Sequence, residues 1–136
     1  MNETQIKQAL QTFLAANTSY KWDTTDDSFI NIYQGEVYGN DSIASRYTKQ
    51  RLSIELSVKF FSTGTLESLD DLVLSTKIML DTLIKTIKTN NQDLGLKGLK
   101  FENWEKKIES SAYSDSQVQY KAELSMFYSI IVSGFS

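Results

Sequence analysis

Arg51-Leu-Ser-Ile-Glu-Leu-Ser-Val-Lys-Phe-Phe61 is the most regular stretch of the chain. Leu52, Ile54, Leu56, Val58 and Phe60 alternate with Arg51, Ser53, Glu55, Ser57 and Lys59. Successive side chains of a strand point to opposite faces, so this period of two predicts a strand with one buried face and one wet face. Such a strand needs a sheet to sit in and a layer over its apolar side, and the layer follows directly in the chain. Ser68 is placed as an N-cap, Asp70 and Asp71 suit the positive end of a helix dipole, and Leu69, Leu72, Val73, Leu80, Leu83, Ile84 and Ile87 trace one apolar face. A helix is therefore predicted over about 69–89, stopped by Asn90-Asn91.

Upstream of the central strand, Phe29, Ile30, Ile32, Tyr33, Val37 and Tyr38 are β-formers, with Gly35 marking a bulge or bend. Between the two strands, Gly39 to Thr48 is polar and longer than a tight hairpin needs. Further upstream, Asn2 and Gln5 have the capping-box form, and Ile6, Ala9, Leu10, Phe13 and Leu14 recur at helical spacing, predicting a helix over about 3–16. Tyr20 and Trp22, in the polar segment that follows, are expected to cover one edge of the core.

Downstream of the second helix, Gly95 and Gly98 mark a turn, and 97–108 reads as a third strand. Its apolar phase changes between Phe101 and Trp104, so a bulge is expected near Glu102-Asn103. After Ser114-Asp115-Ser116, alternation is sustained through Val118, Tyr120, Ala122, Leu124, Met126, Tyr128, Ile130 and Val132. A strand of about fifteen residues would be about 50 Å long and is expected to outrun its own domain. From Met126 the second face also turns apolar, with Phe127 and Ile131, which calls for a helix or another subunit on that side. Leu52, Ile54, Leu56, Val58, Leu72, Leu80, Leu83, Leu124 and Met126 form the expected core. The fold class is α+β: one domain over 1–136, an antiparallel four-stranded sheet with two helices packed on one face, in the order α-β-β-α-β-β.

Composition narrows the chemistry. The chain has 136 residues, 14 Lys and Arg against 17 Asp and Glu, a net charge of -3, and no His or Cys. Without Cys there is no disulfide framework and no thiolate metal site. Without His the most common general base near neutral pH is missing, and Asp26-Asp27 and Asp70-Asp71 are explained by a turn and a helix first turn. Gly95 and Gly98 lack the phosphate-loop Lys and the dinucleotide fingerprint. The expectation is a protein that is not an enzyme, with no cofactor and no metal. The cations are scattered, so nucleic-acid binding is not expected, and the aromatics Trp104, Tyr113, Tyr120, Phe127 and Tyr128 are assigned to packing rather than base stacking. No apolar run approaches the ~20 residues of a membrane span, and the first residues show no basic region followed by an apolar block. A cytosolic product is expected, with the sequons at Asn2, Asn17 and Asn40 fortuitous.

In its element order, its Arg51 to Phe61 strand, its helix from Leu69-Asp-Asp-Leu-Val through Ile87 and its closing strand Val118-Gln-Tyr-Lys-Ala-Glu-Leu-Ser-Met-Phe-Tyr128, the chain resembles the tail terminator and minor tail (tail completion) proteins of long-tailed bacteriophages. The resemblance covers nearly the whole chain as a pattern of elements. It implies a ring-forming homo-oligomer, commonly hexameric, that stops growth of the tail tube and meets the head-tail connector protein. The implied locations are the bacterial cytoplasm during assembly and the virion tail. Two further classes are a ferredoxin-like small-molecule binding module and a regulatory interaction domain that dimerises through its sheet. Candidate partner-binding residues are Asn40, Asp41, Ser42, Arg46 and Tyr47 in the polar loop, expected to face the tail tube, and Phe127, Ile131 and Phe135 at the end of the last strand. The sheet edge and this terminal strand are expected to contact neighbouring subunits.

Overall fold

The computed structural model describes residues 3–24, 28–38, 49–62, 66–89, 96, 98–114 and 117–133. Along the chain these form α1 (Glu3–Asn17), β1 (Asp23–Thr24), β2 (Ser28–Tyr38), β3 (Lys49–Ser62), α2 (Leu66–Thr89), β4 (Lys100–Ser114) and β5 (Gln117–Ser133). Every strand pair is antiparallel, and the spatial order is β1-β2-β3-β5-β4. The protein is thus α+β: four long strands with two helices on one face, and a two-residue β1 added beside β2.

β3 and β5 are paired from Lys49 opposite Ser133 to Ser62 opposite Tyr120. This changes the expectation for the last strand. At 17 residues β5 is as long as the alternation implied, but it stays within the sheet, because β3 (14 residues) and β4 (15 residues) are nearly as long and flank it. β5 is an interior strand; its two edges are occupied over most of their length.

The core lies between the sheet and the helices. Ile6, Leu10 and Leu14 of α1 are buried, and Leu69, Val73, Thr76, Leu80, Ile84 and Ile87 form the buried stripe of α2. Their spacing of three and four residues follows one face of a 3.6-residue helix. Across from them lie Ile30 of β2, Leu52, Ile54, Leu56, Val58 and Phe60 of β3, and Ala122, Leu124, Met126, Tyr128 and Ile130 of β5. Two expected core residues depart from this. Leu83 is only partly buried, and Leu72 is 47% exposed, since both sit at the shoulder of the stripe rather than on it. α2 also begins three residues before Leu69, at Leu66, so Ser68 lies inside the first turn instead of capping it.

Polar ties fix α2 over β4 and β5. Asp70 pairs with Lys106, the Lys77 ammonium lies 4.9 Å from the centre of the Trp104 ring, and the Tyr128 hydroxyl donates to Asp81 at 3.3 Å. α1 is closed by side chains: Asn17 Nδ2 donates to the Phe13 carbonyl and Thr18 Oγ1 to that of Leu14. Trp22, expected at the core edge, is inside it with no exposed surface. Its backbone has φ of 66°, a left-handed conformation costly for a bulky residue. Three hydrogen bonds hold it there: its N–H to Ser28 Oγ, its indole N–H to Thr18 Oγ1, and Gln11 Nε2 to its carbonyl.

Candidate interaction surface: the outer face of the sheet

Both helices lie on one side, so the residues that alternate with the core point to a face that no described element covers. Reading from β2 to β4, its rows follow from the register. Tyr33, Ser53, Ser129 and Lys100 form one row; Asn31, Glu55, Phe127 and Asn103 the next; Phe29, Ser57, Ser125 and Glu105 a third. Beyond them Lys59, Glu123 and Lys107 lie side by side, followed by Phe61, Lys121 and Glu109. At the opposite end Arg51 faces Ile131.

Two irregularities interrupt the register of this face. The register shifts between Gln34 and Val37, where Gly35 lets the backbone approach β3 closely: a Cβ there would stand 3.0 Å from the Arg51 carbonyl oxygen. A second shift lies between Phe101 and Asn103, at the expected bulge. The extra residue, Glu102, turns outward, while Phe101 stays on the helix side with its ring 5.6 Å from that of Tyr128. The apolar phase change in the sequence is this bulge.

Carboxylates organise the polar part of the face. Glu102 Oε1 accepts from Ser129 Oγ at 2.6 Å and from Arg51 Nη2 at 3.0 Å. The Ser129 hydroxyl, with the nearby Lys100 and Arg51 charges, holds the Glu102 carboxyl below its ordinary pKa against the opposing effect of burial. Glu55 Oε1 accepts from Asn31 Nδ2 and Tyr33 OH, and Glu123 Oε1 accepts from Ser57 Oγ. Partial burial and the Glu55 carboxylate raise the Tyr33 phenol above its usual value. At the centre Ser57, Ser125 and Ser129 are buried although no described element lies on them, because longer neighbours shadow their short side chains.

Around this low, hydrogen-bonded centre stand apolar groups in water. Tyr33 is 53%, Phe61 59% and Ile131 58% exposed. Phe127 is partly buried beside Glu55. Lys59 and Lys121 lie 5.8 and 5.9 Å from the ring centres of Phe29 and Phe61. The arrangement offers preset acceptors, aromatic rims and a shallow trough, a surface equipped for contact.

Of the sequence-predicted site residues, Phe127 and Ile131 meet on this one face, four residues apart on β5. Asn40, Asp41, Ser42, Arg46, Tyr47 and Phe135 lie outside the described residues, as do Asn2 of the capping box and the Asp26-Asp27 pair. Because β5 is interior, the side it leaves open is this face rather than an edge. Tyr33, Phe61 and Glu102 were not among the expected residues. Consecutive Phe60 and Phe61 carried a signal, since in a strand one of two neighbours must point away from the core.

Among the described residues no three acidic side chains gather as a metal-binding set, and no helix is long and apolar enough to cross a membrane. Comparison with known protein families and with curated proteins gives no match.

Proposed function

We propose that this chain is a structural protein of a long-tailed phage or prophage, a ring-forming subunit that caps the tail tube and joins tail to head, with no catalytic role. The observation that carries this is the outer sheet face, with Ile131, Phe61 and Tyr33 in water on a rigid layer whose other side is committed to the core. These groups stand around a hydrogen-bonded polar centre, and in this role they are contact points for a protein partner. The element order resembles that of tail terminator proteins and supports the same role. Its partners are other copies of itself, the tail tube protein and the head-tail connector protein. It acts in the bacterial cytoplasm during assembly and then in the virion tail.

Gly39 to Thr48 join the ends of β2 and β3, where Tyr38 pairs with Lys49 and Lys49 with Ser133. β2 thus ends and β3 begins at the end of the sheet that carries Ile131. In this role Asn40, Asp41, Ser42, Arg46 and Tyr47 are the contacts to the tube.

A reconstitution of tail completion tests the role. Deleting 40–47 and, separately, Ile131→Lys should each leave the circular dichroism spectrum and thermal midpoint near those of the parent and abolish capping of tails. Capping at the parental level by both variants would overturn the assignment. A two-fold dimer without any tail activity would favour the regulatory domain instead.

A further inference from the structure

β4 is the last strand of the sheet. It pairs with β5 on one side, and no described element pairs with its other edge. Between the register shifts at Phe101/Asn103 and Ala112/Ser114 the strand is regular, so from 104 to 112 it carries an unbroken row of backbone groups able to take another strand. The opposite edge of the sheet is less open: β1 lies beside Ser28 and Phe29, and the register of β2 shifts between Gln34 and Val37. Along the regular run of β4, Glu105, Lys107 and Glu109 lie on the outer face, and Trp104, Lys106, Ile108 and Ser110 on the helix side.

We infer that β4 pairs antiparallel with β4 of a second copy about a two-fold axis through Ile108, joining the two sheets into one. This contact goes beyond the tail role proposed above and does not depend on it. Symmetry and charge place the axis. A two-fold contact between antiparallel edges keeps both helix layers on one side, and residues set opposite each other share a face, so the axis passes through a residue. Centring it on Glu105, Lys106, Lys107 or Glu109 sets a charge directly against its own copy, which disfavours a strand pair. Centring it on Ser110 gives no opposite-charge pair within the run. Centred on Ile108, Lys107 of each copy lies opposite Glu109 of the other and Lys106 opposite Ser110, and no like charges are opposed from 104 to 112.

The strands behind the edge continue the pattern. Lys59, Glu123 and Lys107 form a row of alternating sign across β3, β5 and β4, and Glu109 and Lys121 of the second copy extend it. Lys100 and Glu102 fall beyond the shift at Phe101/Asn103, outside the paired run. A lysine on an edge strand ordinarily discourages pairing, but Lys106 is already held by Asp70. Packing also allows the junction. Ile108 is partly buried in a cleft with Tyr120 and with Leu66, which is 48% exposed, and the second Ile108 stands against it at the axis. α2 lies over β5 and β3, so the two copies of α2 are at least three inter-strand steps apart, about 14 Å. That exceeds the roughly 8–10 Å of packed helices, and the helix layers do not clash.

The absence of native Cys makes a direct test possible. Ile108→Cys and Ser110→Cys are made separately in the full chain and oxidised with copper phenanthroline over a range of concentrations. Ile108→Cys should give a disulfide-linked dimer, because its two copies face each other across the axis. Ser110→Cys should not, because its copies lie about 14 Å apart in this register. Sedimentation of the parent should show a dimer, and Glu109→Lys, which puts two like-charge pairs at the junction, should weaken it roughly tenfold with an unchanged circular dichroism spectrum. A parent that is monomeric at the highest soluble concentration overturns the inference. So does Ile108→Cys without a disulfide, Ser110→Cys linking as readily, or Glu109→Lys dimerising as tightly as the parent. A linked dimer without tail capping keeps this contact and removes the tail role; capping by a monomeric parent does the opposite.

Discussion

At Tyr128 and Glu102, hydrogen bonds join surfaces that the chain brings together from distant positions. Tyr128 is a core residue whose hydroxyl reaches Asp81 of α2, and burial followed by the Asp81 charge raises the phenol well above its ordinary value of 10.0. Tyr128→Phe should cost about 1 kcal/mol, that of one hydrogen bond, in urea unfolding at neutral pH. The folded pKa exceeds the unfolded one, so the contribution of neutral Tyr128 is complete below about pH 10 and is lost as pH rises toward the folded value. The parent should therefore lose stability in alkali more steeply than Tyr128→Phe, and equal slopes would refute the placement. Glu102 behaves oppositely. Its carboxyl is lowered chiefly by Ser129, so its contribution is present above the ordinary carboxylate range and fades as pH falls through the folded pKa. In Ser129→Ala an NMR titration should find the Glu102 pKa moved up; an unchanged value would mean that the hydroxyl does not bond it.

Among the elements, α2 separates two kinds of leucine that look alike in sequence. Leu56→Ala, at the centre of β3 beneath the helices, should cost about 2 to 5 kcal/mol, since it leaves a cavity that the sheet cannot close. Leu72→Ala, on the exposed side of α2, should change the stability of the isolated subunit by no more than about 0.5 kcal/mol. Chemical denaturation of the two variants side by side measures the contrast, and a large loss at Leu72 would show that this side is already covered in the monomer. Both positions fit a helical or strand pattern. What distinguishes them is the turn of α2 on the sheet, set by Leu69, Val73, Leu80, Ile84 and Ile87 inward and by Asp70, Lys77 and Asp81 tied to Lys106, Trp104 and Tyr128 at the side.

For the whole molecule, the open sheet face predicts linkage between stability and self-association. If copies bind through it, the thermal midpoint should rise with protein concentration and fall with added salt, because association favours the folded state and charge contacts are screened. Ile131→Lys should flatten the concentration dependence in calorimetry, whereas a midpoint independent of concentration in the parent would count against any stable contact there. The strict alternation from Leu52 to Phe60 and from Tyr120 to Val132 determined the strands and their inward faces, and the spacing from Ile6 to Leu14 determined the first helix. The shift of phase after Phe101 determined a bulge. These were legible because each depends on neighbours within a few residues and on the periods of strand and helix. The strand order was not legible: nothing local says that β5 lies between β3 and β4, and so the sequence could not say whether its long apolar end would offer an edge or a face. Nor could it show that Ser57, Ser125 and Ser129 would be shadowed on a bare face, or that Arg51, Glu102 and Ser129 would meet. Those facts depend on residues up to 78 positions apart, Arg51 to Ser129, and only the packing of helices on one side of the paired strands decides them.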